Sequence, residues 1–252
     1  MSEIDESRAP LLDHLLELRK RLLLSLLALA VAFAGCFYFA KPIFAFLVQP
    51  LVHAGQKKVV YTQLFDAFFV EIKVAFFAAM MLAFPVIANQ LWQFVAPGLY
   101  RNEKRALLPF LLATPVLFLS GAALAYYVAI PLALHFLLGF QGNLGGIQQE
   151  ALPAVGNYLS FVMQFLFGFG LAFLLPILLM LLERAGIVTR KQLISARRYA
   201  IVGAFAIAAV LTPPDIGSQL MLAVPLIILY EIALIGIWFT EKKRIAAPAA
   251  TD

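Results

Sequence analysis

The chain has 252 residues, 63% of them hydrophobic and only 13% charged, with a formal net charge of +5. Soluble domains average about 45–50% apolar and about 25% charged residues, so most of this surface does not face water. Lipid admits only helices or a closed barrel, and the long unbroken apolar runs lack the alternation of barrel strands, which makes this an all-α integral membrane protein.

An amphipathic segment opens the chain at residues 10–21 and ends His14-Leu15-Leu16-Glu17-Leu18-Arg19-Lys20-Arg21. Glu17 and Arg21 are four apart and can pair on one helix face. Read alone, the segment is an interfacial helix with a local ion pair and snorkelling cations. The first span follows at residues 22–40. Its Phe33-Ala34-Gly35-Cys36 resembles a lipoprotein cleavage box, but the apolar run continues past Cys36 and more spans follow, so it reads as a retained helix.

Cys36 is the single cysteine and forms no internal disulfide. His14, His53 and His135 are too scattered for metal-ligand spacing, so neither metal nor cofactor is expected.

The second span covers 68–95, with Lys73 near its start and Pro85 inside. Phe94-Val95-Ala96-Pro97-Gly98-Leu99-Tyr100 leads from it to Glu103, which stands among Arg101, Lys104 and Arg105. Pro97 and Gly98 are expected to break the helix there. The third span covers 107–138, with Pro115 and Pro131 inside. Its Ser120-Gly121 is a weak reminder of an intramembrane serine protease, but Phe118 stands where a glycine is needed. The fourth covers 158–182 and contains Pro176.

The fifth span, 199–211, has thirteen residues and reaches only about 20 Å against a hydrocarbon core of about 30 Å. The turn Thr212-Pro213-Pro214-Asp215 therefore lies below the outer surface or thins the bilayer. Asp215 suits the N-cap of the sixth helix. Thr212 and Gln219 are polar near membrane depth and are candidates for contact with a partner helix. The sixth span, 220–239, is taken as short like the fifth. It carries Glu231 midway, either a functional acid or a hydrogen-bonded structural one. Residues 242–252 read as a disordered tail.

Basic residues set the orientation. They crowd the N-terminal segment, the second and fourth loops and the tail, whereas the opposite side holds only Lys41, Lys57 and Lys58. Both termini are therefore expected in the cytoplasm, which requires an even number of spans. The cations mark cytoplasmic loops rather than a nucleic-acid surface. No inverted repeat relates the halves, which disfavours the alternative of a secondary solute transporter or channel.

Taken together, His14–Arg21, Phe94–Tyr100 with Glu103, and Leu211-Thr212-Pro213-Pro214-Asp215 with Ser218-Gln219 resemble the TatC family. The similarity runs from about Leu11 to Phe239. The resemblance implies a cup-shaped, six-helix, non-enzymatic protein of the bacterial inner membrane. It implies that this protein receives twin-arginine signal peptides of folded precursors and works with TatA and TatB subunits under the proton gradient. It also implies assembly with further copies of itself. By the same resemblance, Glu17, Arg19, Phe94 and Glu103 fall at signal-peptide positions, Thr212 and Gln219 at the partner-helix patch, and Pro50 at a family position. The chain departs from the family at Leu174, where many members carry Glu or Gln.

Overall fold

The computed structural model describes residues 3–56, 58–99, 104–145, 147–149, 151–184, 186–212 and 216–246. The chain falls into two compact units, Met1–Phe44 with Phe68–Pro115, and Ala45–Ala67 with Val116–Asp252. Among the described residues, five helical segments are long and apolar enough to cross a membrane: Leu15–Tyr38, Asp66–Phe94, Leu111–Leu138, Val155–Arg184 and Ile216–Lys242.

In the first unit, α1 (Glu3–Tyr38) is a single helix of 36 residues, longer at about 1.5 Å per residue than the hydrocarbon core. The amphipathic segment and the first span are thus one rod. A turn at Phe39 leads into α2 (Ala40–His53). Cys36, Ala40, Ala75 and Ala79 are buried together, because small residues let the start of α2 and the end of α1 approach α3 (Asp66–Leu99) closely. The helix break expected at Pro97-Gly98 does not occur. Helix α3 runs on to Leu99, since a proline in the last turn deprives only one carbonyl of its donor. Trp92 Nε1 donates to Thr114 Oγ1 at 3.0 Å and fastens α3 to α4 (Lys104–Leu124).

In the second unit, α4 passes through a π-helical turn, Ala125–Ala129, into α5 (Ile130–Leu138). The Ile130 N–H donates to the Ala125 carbonyl. This wider turn sits directly before Pro131, which can supply no N–H of its own. A three-residue pair of strands, β1 (Gly142–Leu144) and β2 (Ile147–Gln149), forms a hairpin. Helix α6 (Val155–Ala172) packs tightly against α4. A Cβ on Gly121 would meet the Phe169 carbonyl at 2.5 Å, and one on Gly170 would meet the Phe118 ring at 2.6 Å. Gly121 is therefore a packing glycine, and Ser120 beside it donates to the Leu117 carbonyl. At Phe173-Leu174 the helix breaks before α7 (Leu175–Arg184), and Pro176 in that first turn has no N–H to give back.

Thr189 and Gln192 cap α8 (Arg190–Ser195) reciprocally. Helix α9 (Arg197–Leu211) has 15 residues, about 22 Å, in line with a short fifth segment. The sixth is not short. Helix α10 (Ile216–Ala246) has 31 residues and carries residues 242–246 of the expected tail in helix. The charges that read as its end are engaged. Glu241 pairs with Arg190 at 3.8 Å, and Lys242 lies 5.5 Å from the Trp238 ring centre.

Pro50 has a clear local consequence. It lies inside α2 and cannot donate to the Phe46 carbonyl four residues back. Tyr126 supplies the missing donor, its hydroxyl lying 2.7 Å from that oxygen and its ring stacked on Phe46 at 4.4 Å. The Tyr158 hydroxyl donates to the next carbonyl, Leu47, at 2.9 Å. Removing the Tyr126 hydroxyl should therefore orphan a carbonyl, at a cost of about 1–3 kcal/mol. We expect Tyr126→Phe to lower the unfolding midpoint in detergent clearly in the native background. In a Pro50→Ala background, where the helix regains its own donor, the drop should be much smaller. Equal drops in both would break the link.

Candidate functional site

The N-terminal half of α1 presents Glu17 four residues before Arg21, one helical turn apart. Arg21 grips it with two N–H groups, Nε at 3.0 Å and Nη2 at 2.5 Å, both on Oε1. The third arm of the guanidinium, Nη1, reaches α3 and donates to Gln93 Oε1 at 2.8 Å and Gln90 Oε1 at 3.5 Å. Gln93 in turn donates to Asn89 Oδ1 at 2.9 Å. The Glu17 side chain is 37% exposed and that of Arg21 18%. The carboxylate faces outward while the guanidinium is largely covered.

Arg19 is exposed on the same helix, among the outward leucines Leu16, Leu23, Leu24 and Leu27. Phe94 is half-buried near the end of α3, one residue past Gln93. Glu103 and Asp215 lie outside the described residues. The structure thus places Glu17, Arg19 and Phe94 on α1 and α3 of the first unit. It adds Gln90 and Gln93, which sequence reasoning missed. Their signal was three amides, Asn89, Gln90 and Gln93, at spacings that share a helix face inside an otherwise apolar span.

The polar side chains expected around the fifth helix are bonded to the main chain. Thr212 is buried, and its N–H and hydroxyl both reach the Ala208 carbonyl at 2.8 Å, closing the end of α9. Gln219 Nε2 donates to the Phe205 carbonyl at 3.3 Å. Gln164, unmarked in the sequence reading, donates from α6 to the Val210 carbonyl at 3.3 Å. A helix leaves its last carbonyls without intrahelical partners, and Gln164 serves that of Val210, whereas Gln219 adds a second donor to a carbonyl inside the helix. Ser218 is buried beside them.

Glu231 reads in sequence as an acid midway along a span. In the structure it holds Arg197 at 2.7 Å, with both side chains nearly half exposed. Because α9 is short, its first residue comes level with the middle of α10. Glu231 and Arg197 therefore join the two helices as a pair, and Arg190 with Glu241 repeats the arrangement one element earlier. Leu174 is half-buried at the break between α6 and α7 and offers no polar group there.

The sequence model described as Sec-independent protein translocase protein (TatC) matches residues 13–225. The chain is 47% identical over 249 residues to the Sec-independent protein translocase protein TatC of Magnetococcus marinus, covering 98% of this chain and 90% of that one. It is 41% identical over 239 residues to the protein of the same description from Aquifex aeolicus, covering 93% and 98% of the two. Its fold is similar to a crystal structure of the twin-arginine translocase receptor TatC, with a TM-score of 0.74 at 41% identity, covering 88% of this chain and 96% of the other.

Proposed function

The chain belongs to the TatC family of Sec-independent protein translocase proteins, and from that premise we propose that this multi-pass membrane protein receives twin-arginine signal peptides at its cytoplasmic face. It sits in the bacterial inner membrane with both termini in the cytoplasm, and α9 is the short fifth of six spans. With TatA and TatB, and with further copies of itself, it moves folded precursors across the membrane under the proton gradient.

One observation carries this reading. Glu17 stands at the foot of a span, on a face dominated by cations, and already lies in an arginine fork with part of its surface open. Both bonds fall on Oε1, and a carboxylate can take an arginine in two parallel bonds, one on each oxygen. Glu103 supplies the second acid, Arg19 and Phe94 border the site, and the apolar part of the peptide leaves the interface for the helices. At about 4 Å and an effective dielectric near 20, one such pair has a Coulomb attraction of about 4 kcal/mol before desolvation. Charged hydrogen bonds net about 1.5–3 kcal/mol, so two acids discriminate without making release impossible. Gln219 and Thr212 support a partner-helix site, since polar side chains at membrane depth contact helices rather than lipid.

Losing one partner of a desolvated charge pair costs about 2–5 kcal/mol, so Glu17→Gln and Glu103→Gln should each weaken twin-arginine peptide binding at least about tenfold. The double variant should lose less than the sum if the acids share one arginine pair. Titration of labelled peptide into the detergent-purified protein checks both, and native binding by both folded single variants refutes the assignment. For the partner site, Gln219→Leu should reduce, without abolishing, co-purification of the single-span subunits, because interhelical hydrogen bonds contribute only about 0.6–2 kcal/mol. Unchanged recovery removes Gln219 from that site.

A further inference from the structure

Arg21 is a resident competitor for the very carboxylate that a signal peptide would use. Its two bonds to Glu17 converge on Oε1, and among the described residues no group bonds Oε2. An incoming cation can therefore touch Oε2 first. To reach the parallel two-bond fork it must take Oε1 as well, and Arg21 must let go.

Arg21 keeps acceptors on α3 when it does. Its side chain is only 18% exposed, so a covered guanidinium without acceptors would be costly. Gln93 Oε1 at 2.8 Å and Gln90 Oε1 at 3.5 Å are already in place on α3. The exchange gives up a charged acceptor and keeps the two neutral ones that Nη1 already reaches, with no bond made or broken covalently and no proton transferred.

We propose that Arg21, with Gln90 and Gln93 as its alternative acceptors, sets the selectivity of the site for arginine over lysine. This rests on the reading of Glu17 as a signal-peptide carboxylate. An arginine fork fits both oxygens and replaces what Glu17 loses. A lysine ammonium is a point charge without that planar fit, so it stops at Oε2 and leaves Arg21 where it is. The resident arginine thus acts as a threshold that only another arginine passes. The pair lies one turn apart on a partly open face, where such bonds are modest, so the exchange is reversible.

The test is the ratio of dissociation constants for a synthetic Lys-Lys peptide and its Arg-Arg counterpart, measured on the full-length detergent-purified chain. Native protein should favour Arg-Arg strongly. Arg21→Gln should tighten Lys-Lys binding and lower the ratio about tenfold, the scale set by one charged hydrogen bond. Arg21→Lys, which keeps the charge and loses the fork, should lower it part-way. Lys20→Gln removes the same charge from an exposed neighbour and should leave the ratio at the native value. Gln90→Leu with Gln93→Leu should weaken Arg-Arg binding several-fold in the native background and not in the Arg21→Gln background. A ratio unchanged within about twofold in Arg21→Gln, or an equal drop in Lys20→Gln, overturns the exchange. Glu17→Gln separates the two readings. If it binds Arg-Arg like the native protein, the carboxylate assignment itself falls. If it binds weakly while Arg21→Gln keeps native selectivity, only the exchange falls.

Discussion

A main-chain carbonyl in lipid has no water to turn to, and much of this structure follows from finding donors for such groups. Pro50 leaves the Phe46 carbonyl short, and Tyr126 fills it. The short helix α9 ends in carbonyls that Thr212 and Gln164 reach. Tyr230 donates to the Leu193 carbonyl and holds α8 against α10, where Leu193, Tyr230, Leu234 and Ile237 are buried together. In each case a scarce polar side chain is committed to the backbone. The network of Glu17, Arg21, Gln90, Gln93 and Asn89 differs in kind, because its bonds run from side chain to side chain.

The apolar runs made the helices legible, because a stretch of about 20 apolar residues has few other uses. The shortness of the fifth helix was equally plain from Tyr199–Leu211. Helix ends were not. Hydropathy marks where lipid stops, whereas helices continue wherever charges find partners, as Glu241 and Lys242 do on α10. Pro97 read as a breaker, yet it falls in a last turn where its missing donor matters little. The π turn before Pro131 left no mark beyond the proline itself.

The site was half legible. Glu17 and Arg21 stand four apart, and helical periodicity alone pairs them. Gln90 and Gln93 were overlooked because they lie inside a span and their partner is about 70 residues away in sequence, a distance no local pattern bridges. Glu231 reads in sequence as either a functional or a hydrogen-bonded structural acid, and its partner was hidden for the same reason, since the short α9 brings Arg197 to its level. The resemblance to TatC proteins marks positions, and the geometry shows what Glu17, Thr212 and Gln219 are already bonded to.

The central claim is that the foot of α1 and the end of α3 read an arginine pair from the cytoplasm. Site-specific photocrosslinking in inverted inner-membrane vesicles tests this most directly, with a photoreactive residue at Leu16 on α1 or at Leu91 on α3, both exposed. A twin-arginine precursor added outside these vesicles, and so at the cytoplasmic face, should crosslink at Leu16 and more weakly at Leu91. A Lys-Lys version of the same precursor should not compete. Crosslinks of equal strength from the Lys-Lys precursor, or none at Leu16 while distant positions on α10 react, would contradict the account.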